Sequence, residues 1–135
     1  MRKKAILFDL SFLVASFSNK IDIVDFVRKE LGERIKLIVL KDSLIELEEA
    51  LIRKKPNILK TFKLIVDFVK KYCEVVDYLP TEKISVDMKI LRYASTNDCI
   101  VATNDKYLMK MLLYKNIPVI YVNIRKKRIE VIGEI

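Results

Sequence analysis

Short, continuously apolar runs alternate along this chain with longer amphipathic stretches. Ala5 to Phe8, Ile35 to Leu40, Glu74 to Tyr78, Cys99 to Ala102 and Pro118 to Ile124 read as five strands. Most of them lack polar–apolar alternation, as strands of a parallel sheet covered on both faces do. Between them, apolar residues recur at helical spacing. Ser11 to Phe17 and Ile21 to Leu31 read as helices with a break near Ser18-Asn19, the second stopped by Gly32. Asp42 or Ser43 caps a helix to about Arg53. Pro56 suits the first turn of a helix to about Tyr72, and Ile58, Leu59, Phe62, Ile65, Val66 and Val69 keep its period. Pro80 ends the third strand, and Thr81 precedes a helix to about Ala94. Asn104 or Asp105 caps a helix through Tyr114. Arg125-Lys126-Lys127-Arg128 then turns the chain into a short final run, Ile129 to Ile132, which could form an exposed edge strand. Strands alternating with helices predict an α/β fold: a three-layer α/β/α sandwich around a central, mainly parallel five-stranded sheet. Residues 1–135 read as one domain, with no repeat, linker or low-complexity tract.

Composition adds three constraints. With 52% apolar residues in 135, the chain has the means to build a sizeable core, and only two glycines and three prolines leave little room for long irregular loops. A formal net charge of +8 attracts polyanions, although Lys- and Glu-rich surfaces also serve solubility and heat resistance. Cys73 and Cys99 lie in or beside apolar runs and read as buried, reduced thiols, which fits a cytoplasmic setting. Met1-Arg2-Lys3-Lys4 before an apolar run looks superficially like a signal peptide. Asp9 interrupts that run and no small-residue cleavage site follows, so the reading is rejected. No window is long and apolar enough to span a bilayer, so no membrane partner is expected.

The chemistry lies in four acids. Asp9 ends the first strand, and Asp105 comes three residues after the fourth. Sites in open α/β sheets form beyond the carboxyl ends of strands, at the switch in strand order. If strands one and four are neighbours there, both carboxylates face one crevice. Asp87 precedes Ile90, Leu91 and Ala94 by three, four and seven residues, so it shares their helix face, where a charge is costly without a partner. Glu46 flanks the Leu44-Leu47-Leu51 stripe. Ordinary roles stay open for each: helix caps for Asp9 and for Thr103-Asn104-Asp105, a first-turn position for Asp87, plain solvation for Glu46, and pairing with Lys41 or Lys89. Carboxylates that converge cannot all stay ionised unaided, and a divalent cation relieves the repulsion. The chain has no histidine, so oxygen ligands favour Mg²⁺ or Mn²⁺ over zinc.

At these residues the chain resembles the PIN-domain family, which includes VapC-type toxins and some ribosomal-RNA processing factors. The resemblance covers nearly the whole chain in the expected order. Asp9-Leu10-Ser11-Phe12-Leu13 stands at the family's Asp-Thr-Asn-like opening, and Glu46-Leu47 at its second acid. Asp87, Ile90 and Ala94 match an Asp-x-x-Ile-x-x-x-Ala pattern. Val101-Ala102-Thr103-Asn104-Asp105 with Leu108 matches its Thr-x-Asp motif, and Ile117-Pro118-Val119-Ile120-Tyr121 its last core strand. Leu10-Ser11 replaces the usual Thr-Asn pair, and Leu40-Lys41 stands where a proline is usual before the second acidic helix.

The resemblance implies hydrolysis of RNA phosphodiesters by Asp9, Glu46, Asp87 and Asp105 acting with Mg²⁺ or Mn²⁺. Ser11, Thr103 and Asn104 would orient the carboxylates, and Lys41, Lys106 and Lys110 would hold the RNA backbone. Implied partners are RNA, an antitoxin protein if the chain is a toxin, and a second copy of the chain if Phe17, Phe26 and Val27 prove exposed. Two other readings stay open. One is a PIN-like module that binds RNA or protein without turnover, which the Leu10-Ser11 departure supports. The other is a haloacid-dehalogenase-like phosphatase with Asp9 as nucleophile, although Ser11 stands where that family needs a second acid.

Overall fold

A computed structural model describes residues 3–53 and 56–135. Met1 and Arg2, which begin the basic amino-terminal run, lie outside the described residues. The central sheet has six strands in the order β3-β2-β1-β4-β5-β6. They are β1 (Ala5–Phe8), β2 (Lys36–Leu40), β3 (Glu74–Val76), β4 (Cys99–Ala102), β5 (Val119–Asn123) and β6 (Arg128–Ile132). The first five are parallel; β6 pairs antiparallel with β5 from Val119↔Ile132 to Asn123↔Arg128. The expected five strands thus become six. The final run closes a hairpin on β5, and its weak alternation reflects an edge whose Val131 and Ile132 are partly exposed.

The helices are α1 (Leu10–Ser18), α2 (Ile23–Glu30), α3 (Lys41–Arg53), α4 (Pro56–Tyr72), α5 (Val86–Thr96) and α6 (Lys106–Tyr114). Strand pleating sorts the core into two layers. Ile6, Phe8, Ile100 and Ala102 pack on one face against Phe12 and Leu13 of α1, Leu47 of α3, and Phe62, Ile65 and Val69 of α4. Ala5, Leu7, Cys99 and Val101 pack on the other against Ile90, Leu91 and Ala94 of α5 and Leu108 and Leu112 of α6. The ring of Phe8 lies 5.7 Å from Phe12 and 5.9 Å from Phe68, which fixes α1 and α4 against the end of β1. Truncating Phe8 to alanine would cost about 3–5 kcal/mol.

Several boundaries differ from the sequence expectation, most by a residue or two, and two have a clear local cause. β3 ends at Val76, short of Tyr78. The helix expected after Thr81 starts at Val86, with Ser85 Oγ accepting from the Met88 amide at 3.2 Å. Ser85 stands next to the apolar stripe, whereas Thr81 is separated from it by exposed Glu82 and Lys83. Neither Asp42 nor Ser43 caps α3, because the helix begins at Lys41, directly after β2. The expected stop at Gly32 holds: its φ of +90° admits glycine readily, and its amide donates to the Val27 carbonyl at 2.9 Å. Phe17 and Phe26 are half-buried and Val27 is buried, all three packed in the first core layer, so the exposure required for pairing through them is not met. Among the described residues no helix is long and apolar enough to cross a membrane.

Candidate active site

β1 and β4 are adjacent, with Phe8 level with Ala102, so the chain leaves both at the same end of the sheet. Asp9 follows β1. Its amide donates to the Ala102 carbonyl at 2.8 Å, and its own carbonyl accepts from Phe12 as α1 begins. Asp9 therefore occupies the cap position of α1, yet its carboxylate caps nothing. That side chain is 8% exposed. Its Oδ2 accepts from Ser11 Oγ at 2.6 Å and from Thr103 Oγ1 at 2.7 Å, distances typical of hydroxyl–carboxylate bonds. No described residue bonds Oδ1.

Thr103, fully buried, connects the acids: its Oγ1 also accepts the Asp105 amide at 3.0 Å. Ser11 Oγ accepts the Asn104 amide at 3.0 Å, which ties the start of α1 to the end of β4. The Asn104 side chain has a different role from the one the sequence suggested. Its amide bonds both backbone groups of Val122, at 3.0 and 2.8 Å, and so fixes the loop to β5 without touching a carboxylate. Asp105 caps α6, with Oδ1 accepting from Tyr107 and Leu108 amides at 2.9 and 3.1 Å; Oδ2 has no such partner.

Asp9, Glu46, Asp87 and Asp105 line a single crevice of ≈ 720 Å³ together with Ser11 and Asn104. Leu10, Val14, Ser18, Asn19, Val86 and Ile124 complete much of its wall, and none of these was expected from sequence to line a site. The carboxyl of Asp87, in the first turn of α5, is pushed above the ordinary carboxylate range. Partial burial is the chief cause, followed by the charges of Asp9 and then Asp105. The carboxylate of Asp87 thus feels two of the other acids. Glu46 is exposed at the rim. The helices carrying Glu46 and Asp87 are joined by an ion pair that sequence pairing did not identify: Lys89 Nζ lies 2.7 Å from Asp42 Oδ2. Lys41 pairs with Asp77 at 3.7 Å. Lys41, Lys106 and Lys110 are exposed, and none of them lines the crevice.

The donor set suits a hard divalent cation. All four side chains offer oxygen, each has at least one carboxylate oxygen that no described residue bonds, and one carries the strain of its neighbours' charge. Among the described residues no three acids enclose an ion as they stand. Gripping one calls for the side chains to draw closer together, and Glu46, exposed at the rim, is the least enclosed of the four. The cysteines offer no competing nucleophile: burial pushes the Cys73 thiol up to about 12 and the Cys99 thiol up to about 11.

A sheet of this order, with acids at the carboxyl ends of β1 and β4, is the architecture of a PIN domain. The chain superposes on the PIN domain endonuclease Utp24 with a TM-score of 0.76, covering 97% of this chain and 92% of that one at 21% identity, a likeness of fold. Ribonuclease VapC4 of Methanocaldococcus jannaschii is 35% identical over 130 residues, covering 93% of this chain and 94% of the relative. No family model matches the sequence. On the strength of the VapC4 relationship, the chain belongs to the PIN-domain family of nucleases.

Proposed function

We propose that this chain is a metal-dependent endoribonuclease that hydrolyses RNA phosphodiesters at the four-acid crevice. The observation that carries the reading is the convergence of Asp9, Glu46, Asp87 and Asp105 on one space, with Asp9 aimed by two hydroxyls. VapC4, by its name a ribonuclease, supports RNA as the substrate.

Asp9, Glu46, Asp87 and Asp105 would hold one or more Mg²⁺ or Mn²⁺ ions. When bound, such an ion neutralises charge growing on the scissile phosphate and acidifies a water in its shell. Ser11 and Thr103 fix the Asp9 carboxylate by bonding Oδ2, and Oδ1 has no partner among the described residues. Asp105 keeps one oxygen on the α6 amides and one for the site. Asp87 gains most from a cation, because its neighbours' charges oppose its own ionisation. With no histidine in the chain, a carboxylate or solvent takes up the proton released at the attacking water.

The Leu10-Ser11 departure gives little support to a non-catalytic module, since the Ser11 hydroxyl still bonds Asp9. The phosphatase reading lacks its second acid for the same reason: Ser11 donates to Asp9 where a proton donor to a leaving group would be needed. The same chemistry serves a toxin restrained by an antitoxin protein and an RNA-processing enzyme, in the cytoplasm in either case. The test is incubation of a pool of single-stranded and structured RNAs with Mg²⁺, with Mn²⁺ or with chelator. Cleavage in the presence of either metal and none with chelator is expected; cleavage indifferent to chelator, or none under any condition, sinks the proposal.

A further inference from the structure

Among the described residues, four that are not glycine adopt left-handed backbone: Lys20, Asp98, Asn116 and Lys127. Aspartate and asparagine tolerate this conformation; lysine does so at a steric cost that glycine would avoid. The two lysines, Lys20 (φ 54°) between α1 and α2 and Lys127 (φ 50°) in the β5–β6 turn, line one cleft of ≈ 430 Å³. Asn19 lines that cleft and also the acidic crevice, which follows one face of α1 from Asp9 through Ser11, Val14 and Ser18. Cleft and crevice therefore meet at the carboxyl end of α1. Ile124, the residue before the basic turn, lines the crevice as well.

Acids line the cleft too, and part of the charge there is already engaged. Asp22 caps α2 by accepting the Asp25 amide at 3.0 Å, Asp25 pairs with Lys29 at 3.2 Å, and Glu130 holds Arg128 at 3.2 Å. Glu30 is exposed on the same wall. Among the described residues, Lys20, Arg125, Lys126 and Lys127 have no carboxylate within ion-pair distance. All four are exposed. The turn that presents three of them is braced, with Asn123 Oδ1 accepting the Lys126 amide at 3.1 Å and Asn123 Nδ2 donating to Glu130 at 3.1 Å. Two turns with left-handed lysines thus bring Lys20 and Lys127, both without an ion-pair partner among the described residues, to one cleft that shares Asn19 with the acidic crevice. Observed strain at such positions points to function.

We propose that Lys20 and Lys127 form the walls of a phosphate-binding cleft for single-stranded RNA leading away from the carboxylates, with Arg125 and Lys126 at its rim. The identity of the strand rests on the nuclease reading above. The probe is a labelled single-stranded RNA oligonucleotide whose binding is followed at several salt concentrations with chelator present, so that no metal-dependent cleavage intervenes. The double variant K20G/K127G suits both positive φ values, and its Tm should equal or exceed that of the wild type. Loss of two phosphate contacts should lower the slope of log affinity against log salt by about 1.4. The K20R/K127R variant should keep the wild-type slope. So should K4Q/K36Q, which removes two charges at the opposite end of the parallel strands. An unchanged slope in K20G/K127G, an equal fall in K4Q/K36Q, or no RNA binding by the wild type would each overturn the cleft. Binding with the expected slopes but no cleavage when metal is restored would instead sink the nuclease reading alone; cleavage with an unchanged slope would sink the cleft alone.

Discussion

Thr103→Val removes one buried oxygen at nearly constant shape, and the structure sets its cost. The lost hydroxyl donates to the Asp9 carboxylate at 2.7 Å and accepts the Asp105 amide at 3.0 Å. A hydrogen bond to a charged group is worth about 1.5–3 kcal/mol, and a buried donor left without a partner adds about 1 kcal/mol or more. The extra methyl returns about 0.8 kcal/mol through apolar burial. The net destabilisation is about 2–3 kcal/mol, which in a domain of this size lowers Tm by roughly 6–9 °C. The assay is chemical and thermal denaturation with chelator present, for Thr103→Val, Asp9→Asn and the double variant. Because the two groups touch, the double variant should be less destabilised than the sum of the singles by about 1 kcal/mol or more. Activity of Thr103→Val should fall roughly 10–100-fold through loss of carboxylate orientation. A loss of stability below about 0.5 kcal/mol, or strict additivity with Asp9→Asn, would refute the claim that this hydroxyl holds the Asp9 carboxylate.

Asp87→Asn should raise the Tm of the metal-free protein at pH 7. Folding raises the pKa of Asp87 above 3.8, through burial and then the charges of Asp9 and Asp105. The native state therefore holds its proton to higher pH than the unfolded chain, and wild-type stability falls as pH climbs from about 3.8 through the raised value. The advantage of the variant should shrink as pH is lowered through that window; an advantage that grows toward acid would contradict the assignment. Lys89→Met breaks the partly buried pair with Asp42, whose side chains are 15% and 28% exposed. It should cost about 1–2 kcal/mol in urea denaturation and weaken Mn²⁺ binding, since the pair joins the helices bearing Glu46 and Asp87. Unchanged Mn²⁺ affinity in a folded Lys89→Met protein would show that the clamp does not set the site.

Sheet and helices were legible because each core element carries its own signal. Ala5–Phe8 and Cys99–Ala102 are apolar at every position, and both prove buried on both faces. Ile90, Leu91 and Ala94 mark the inner face of α5 by spacing alone. The false start at Thr81 arose because a hydroxyl before a charged stretch resembles a cap. What separates it from Ser85 is direct contact with the apolar period. Residue type and motif order singled out the four acids, but not their meeting, which depends on β1 lying beside β4. The role of Asn104 was illegible for a related reason: its partner Val122 is 18 residues away on another strand. The cleft lysines stayed hidden because lysine at positive φ runs against local preference. Read as sequence, Arg125-Lys126-Lys127-Arg128 was only a turn.

The most direct measurement is the rate of RNA cleavage under rising Mn²⁺ for the wild type beside Asp9→Asn and Asp105→Asn, with circular dichroism to establish that each variant is folded. The account predicts a wild-type rate that climbs and saturates with metal, and a loss of at least about 100-fold in both folded variants. Undiminished cleavage by both variants at saturating Mn²⁺ would contradict it.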